Sequence, residues 1–154
     1  MAGCSPQAPA QNAPINVQVE EQAAQTGLPR VNMIIHSPNG DHAFVMELAG
    51  TPAQQERGLM FRRSLAPNEG MLFPYSPPQP VAFWMRNTLI PLDMIFVRPD
   101  GTIARIATAE PLDETTVPSG EPVSMVMEIR GGRAAELGIK AGDQVSPPPP
   151  CCKP

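Results

Sequence analysis

Proline limits what this chain can fold into more than any other residue. There are 21 prolines among 154 residues, and twelve are spread through residues 31–145, from Pro38 to Pro122. A proline inside a helix removes a backbone donor and clashes with the preceding turn. That segment is therefore expected to be built of short strands and turns. The other nine prolines fall toward the ends: Pro6, Pro9, Pro14 and Pro29, then the run 147–150 and Pro154. Three segments follow: an N-terminal tether over 1–30, a β-rich domain over 31–145, and a Pro/Cys tail over 146–154. Cys4, Cys151 and Cys152 all lie in the end segments. A disulfide scaffold, a zinc–thiolate site and a cysteine nucleophile are thereby excluded from the centre.

The centre carries nine basic residues against thirteen acidic ones. With no basic stripe to neutralise phosphates, nucleic acid is not an expected partner. No apolar run approaches the ~20 residues of a spanning helix, so membrane association is expected only through an anchor. Residues after Cys4 are rich in Pro, Ala and Gln and read as a disordered tether. Ala2-Gly3-Cys4-Ser5 resembles the end of a bacterial lipobox, in which the cysteine is lipidated after signal cleavage. The charged and apolar regions of an export signal do not precede it, and the chain is expected to begin inside one. The expected address is the periplasm or cell envelope. Absence of cysteine from the centre suits an oxidising compartment. At the other end, four prolines favour a stiff extended segment, with Cys151 and Cys152 as exposed thiols.

Residues 31–36 (VNMIIH) and 43–48 (AFVMEL) flank Ser-Pro-Asn-Gly-Asp and predict a hairpin. Thr51 as N-cap, Pro52 in the first turn and Gln54 at the capping-box position predict a short helix over 52–57, stopped by Gly58. Further strands are expected at 71–73, before a proline-rich loop over 74–80, and at 81–86, 92–97, 102–108 and 125–130. A second short helix at 133–137 should stop at Gly138 and lead to a turn and a closing strand. The expected fold is all-β, a compact β-sandwich or distorted barrel with seven to nine short strands and two short helices.

Several blocks together resemble one family. They are Glu56-Arg57-Gly58-Leu59-Met60-Phe61-Arg62, Gly70-Met71-Leu72-Phe73, Phe83-Trp84-Met85-Arg86-Asn87-Thr88, Ile90-Pro91-Leu92-Asp93-Met94-Ile95-Phe96 and Leu137-Gly138-Ile139-Lys140-Ala141-Gly142-Asp143. In order and spacing they look like the small bacterial and archaeal domain-of-unknown-function family 192, over roughly residues 43–145. The resemblance implies a compact β-rich domain, often exported, and transfers no catalytic residues. Residues 133–143 also look like the helix-turn-strand corner of peptide-binding PDZ modules. The upstream strand order does not fit a PDZ, and shared turn chemistry at Gly138 and Gly142 accounts for the likeness.

Candidate sites follow from chemistry-bearing residues in the strands. Trp84 and Arg86, two apart on one strand, share a face and with Asn87 could stack and hydrogen-bond a sugar or other planar ligand. Asp93, on the face of Ile95 and Val97, points inward and needs a partner, for which Arg57 or Arg86 is expected. Glu128, on the face of Val126 and Arg130, completes a polar cluster of Arg57, Arg86, Asn87, Asp93 and Glu128. The alternative to that cluster is a buried structural ion pair.

The preferred reading is a non-catalytic binding or envelope-accessory domain with a polar and aromatic cleft for a small-molecule or glycan ligand. It needs no cofactor. Its rival is a hydrolase acting on an envelope polysaccharide through Asp93 and Glu128, whose separation would decide the chemistry. A third reading is a metal binder, through the abundant methionines or through His36 and His42 facing each other with Asp41. In-phase core packing explains most of the methionines equally well.

Overall fold

The computed structural model describes residues 23–146. The expected hairpin forms first, from β1 (Arg30–Ser37) and β2 (Gly40–Leu48), paired from Arg30↔Glu47 to Ser37↔Gly40. Helix α1 (Pro52–Arg57) follows, capped as its sequence predicts. The Thr51 hydroxyl accepts from the Gln54 N–H, and the Gln54 side chain accepts from the Gly50 and Thr51 N–H groups. Next come β3 (Glu69–Gln79), β4 (Ala82–Phe83), β5 (Leu92–Val97), β6 (Ile103–Ala109), β7 (Val117–Pro118) and β8 (Val123–Arg130). Helix α2 (Arg133–Leu137) ends at Gly138, whose φ of 71° is the left-handed conformation glycine adopts without strain, and β9 (Gln144–Val145) closes the described chain.

Seven strands form one sheet in the order β6-β5-β8-β3-β2-β1-β9, while β4 and β7 make a separate two-stranded ribbon. Only β2 and β3 run parallel, joined by the α1 crossover. The sheet curls until its ends meet. β9 pairs with β1 on one side, and Gln144 bridges Thr102, just before β6, on the other. The Val145 N–H donates to Gly101 and the Ile103 N–H to Asp143, both through main-chain carbonyls. The fold is mainly β with two short helices among the described residues, and the curl realises the distorted barrel rather than the sandwich.

The curl gives the sheet two buried faces. Met33, Ile35, Phe44, Met46, Leu72, Ile95, Val97, Met125, Met127 and Ile129 fill the enclosed face, with Ala134 and Ile139 from the α2 corner closing over them. Met71, Phe73, Met94, Phe96 and Val126 form the second face, covered by Leu59, Leu65, Met85 and the β4–β7 ribbon. Every residue of β5 is buried, which is why LDMIFV is apolar at every position but Asp93 instead of alternating. Phe83 fastens the ribbon by edge-to-face contacts with Phe73 at 5.1 Å and Phe96 at 6.1 Å.

Three local expectations need correction. The proline-rich segment 74–80 is not a free loop. β3 runs to Gln79 with an irregularity between Pro74 and Gln79 and a cis Ser76–Pro77 bond. Strand 81–86 shrinks to Ala82–Phe83, because the Met85 N–H turns to the Asp113 carbonyl. His36 and His42 do not face each other either. The register pairs His36 with Asp41 and His42 with Ile35, on opposite faces of the β1–β2 hairpin. The end of the segment read as tether also lies against the domain. The Gln25 side chain donates to the Gln54 and Gly58 carbonyls, and the Leu48 N–H donates to Pro29 O. Cys4, Cys151 and Cys152 lie outside the described residues.

Candidate functional site

The second face of the sheet opens where α1 meets the β4–β7 ribbon. Gln55 anchors that wall, donating to the Ala49 and Pro74 carbonyls at 3.1 and 3.0 Å, and so holds α1 against β3. A cavity of about 170 Å³ lies between α1, Tyr75 and Phe83, with Glu128 among its lining residues. A second, of about 310 Å³, is lined by Ala53, Met60, Arg86 and Asn87. Glu56, Arg57, Met60 and Trp84 line both, so the two are lobes of one cleft.

Trp84 stands at the junction with 43% of its surface exposed. The Arg86 guanidinium lies 5.5 Å from the centroid of its indole and reaches Glu114 at 3.9 Å. Arg57 projects from the last turn of α1, 5.0 Å from the Phe61 ring centroid, and donates to the Ala23 carbonyl. Asn87 is held at a positive φ of 55°, and its carbonyl accepts from the Phe61 N–H at 2.8 Å. That bond ties the Trp84 loop to the segment following α1.

Glu128 is only 4% exposed. Register places it between Met71 on β3 and Met94 on β5, all on the second face. Desolvation pushes its carboxyl up to about 8. The Tyr75 hydroxyl is raised to about 12, by burial first and the Glu128 charge second.

The cleft thus gathers Arg57, Trp84, Arg86, Asn87 and Glu128. Asp93 does not join them. It is 1% exposed and sits on the enclosed face opposite Ile129, while its neighbour Met94 pairs with Glu128 on the second face. Nor is its partner an arginine. Its carboxylate accepts from the Thr108 hydroxyl at 2.7 Å, the Gly132 N–H at 3.0 Å and the Ala134 N–H at 2.9 Å. Asp93 therefore supplies the side-chain cap that Gly132 cannot give α2. The two carboxylates of the hydrolase reading point to opposite sides of one sheet, so they cannot flank one glycosidic bond.

Tyr75, Phe83, Leu59 and Gln55 belong to the cleft and were not expected there. The aromatic Tyr75 within a proline-rich stretch was the available signal for the first of these. Among the described residues no group of three or more His, Cys, Asp or Glu could hold a metal ion. Met33, Met46, Met71, Met85, Met94, Met125 and Met127 are core residues.

A crystal structure of a protein of unknown function from Novosphingobium aromaticivorans is 50% identical to this chain. The match covers 79% of this chain and 87% of that one, with a TM-score of 0.77. A crystal structure from Sinorhizobium meliloti, described as a proposed transcription regulator, is 40% identical over 79% of this chain and 96% of that one, with a TM-score of 0.76. No curated protein matches the chain. The sequence model of the DUF192 family, described as an uncharacterised ACR, matches residues 34–147.

Proposed function

The chain belongs to the domain-of-unknown-function family 192, and we propose that it is a non-catalytic binding domain, exported or lipid-anchored, whose cleft takes a small polar ligand of the glycan class. The carrying observation is a half-exposed tryptophan at the junction of two connected cavities, with charged and amide side chains around it. An indole face stacks on the C–H face of a sugar ring, while Arg86 and Asn87 offer donors to ring hydroxyls. The rival hydrolase loses its pair of carboxylates to the two sheet faces. Packing accounts for most of the methionines that a metal reading would use. The transcription-regulator description belongs to the Sinorhizobium protein. In this chain, the excess of acidic over basic residues favours a small ligand over nucleic acid.

Trp84 is the single tryptophan of the chain, so its fluorescence reports the cleft directly. Titration with soluble envelope-glycan fragments should give a saturable change. W84A, followed by calorimetry, should bind about tenfold or more weakly, from loss of a stacking contact. If no oligosaccharide produces a saturable signal, the reading is wrong. The envelope address is tested by mass spectrometry of protein made from the full native gene. It requires a diacylglycerol-modified Cys4.

A further inference from the structure

Glu128 differs from the other well-buried acids of the described chain in having no partner. Asp93 accepts three hydrogen bonds, and Glu47 pairs with Arg62 at 2.6 Å. No hydrogen bond or ion pair from a described residue reaches the Glu128 carboxylate, and since no sealed side-chain oxygen among the described residues lacks a partner, that carboxylate opens to the cavity. Yet that residue is 96% buried and lines the cleft. A carboxylate withdrawn from water is stable as an anion only beside a cation or several donors. Around the cavity, α1 contributes Glu56 and Arg57 and β3 contributes Tyr75, while β5 and β4 present Met94 and Phe83. The Arg57 guanidinium is turned to the Phe61 ring and the Ala23 carbonyl. Burial alone accounts for the raised Glu128 carboxyl, with no nearby positive charge offsetting it.

We infer that the floor of the cleft is a seat for a protonated primary amine on the ligand, held by the Glu128 carboxylate and walled by Tyr75, Phe83 and Trp84. This rests on the glycan-binding reading of the same cleft and narrows it to an amino sugar, with its ring at Trp84 and its ammonium at Glu128. Aromatic walls favour a cation, and the cation supplies what the buried carboxylate lacks. Glu128 is mostly protonated at neutral pH. Seating an ammonium beside it therefore expels the carboxyl proton to solvent, whereas a neutral acceptor on the ligand would leave that proton in place.

The full chain and E128Q are titrated at neutral pH with a glucosamine tetrasaccharide and with its N-acetylated counterpart. Trp84 fluorescence is followed, with calorimetry in two buffers of different ionisation enthalpy. The free-amine sugar should bind about tenfold more tightly than the acetylated one, as a charge-assisted hydrogen bond predicts. Binding of its ammonium form should release close to one proton, the one lost by Glu128, while any free amine takes that proton itself and releases none. E128Q should abolish both the preference and the proton release while leaving the acetylated sugar unaffected. Equal binding of the two sugars without proton release overturns the amine seat and leaves the glycan cleft standing. Binding of neither sugar counts against the glycan cleft alone, and n-butylammonium chloride then decides the seat in the unmutated chain. Excess butylammonium should lower the apparent pKa of Glu128, followed through its carboxyl ¹³C resonance. A pKa that does not move overturns the seat.

Discussion

Glu128 and Asp93 are both acids inside strands that are otherwise apolar, and the same physical demand is met in opposite ways. Asp93 is satisfied by three donors, two of them main-chain N–H groups at the start of α2. D93A would leave those donors buried and unbonded, at a cost of about 3 kcal/mol or more. D93N keeps one acceptor oxygen and should cost less. Urea denaturation measures both losses, and amide exchange at Ala134 should accelerate in D93A. Glu128 has no such donors, and its carboxyl is raised from 4.5 to about 8 by burial. Between those values the native state holds a proton that the unfolded state has released. Stability therefore falls as pH rises through the window, by about 1.4 kcal/mol per pH unit from this group, and levels off above it. E128Q should remove that slope and be more stable than the parent at alkaline pH, read from urea midpoints across the window. An unchanged slope in E128Q would place the titration elsewhere.

At the scale of elements, local chemistry decides where segments begin and end, and long-range contacts decide what they do. The Thr51–Gln54 capping box is legible in four consecutive residues and forms as read. T51A should cost about 1 kcal/mol, the usual loss at an N-cap. It should also weaken ligand binding, because α1 carries Gln55, Glu56 and Arg57 into the cleft wall. Thermal denaturation and the Trp84 titration check the two effects separately. Prolines locally signal a loop, so the sequence of 74–80 reads as one. The structure keeps residues 74–79 in β3, with an irregularity of register between Pro74 and Gln79. Strand 81–86 failed in the other direction. Its alternation is real, with Met85 buried and Trp84 and Arg86 exposed, but only Ala82 and Phe83 find a ladder partner, on β7. Alternation reports burial, and a burial pattern persists beyond the last paired residue.

At the scale of the molecule, closure depends on the two residues of β9. They pair with β1, bridge Thr102 and bury Val145 in the enclosed core. Gly101 has no side chain where β9 passes; an added Cβ would lie 2.4 Å from the Gln144 side-chain nitrogen and 3.1 Å from the Val145 carbonyl. Deleting residues 144–154 should cost about 3 kcal/mol, from one buried aliphatic side chain and several main-chain hydrogen bonds. The expected readout is a lower urea midpoint. An unchanged midpoint would show that the curled sheet holds without its closing strand.

The sequence by itself determined the β class, the caps and turns, and the face of each strand on which a residue lies. Asp93 was placed with Ile95 and Val97, and Glu128 with Val126, and both placements are seen. Those properties follow from dihedral preference and a period of two along one chain. Tertiary structure alone decided which faces coincide. The β5–β8 register sets Met94, not Asp93, beside Glu128, and the curl turns one face inward. One residue of slip between strands would exchange the faces, and no local pattern reports that slip. For this reason Arg57, Trp84, Arg86, Asn87 and Glu128 form a cleft, and Asp93 lies behind it, capping a helix.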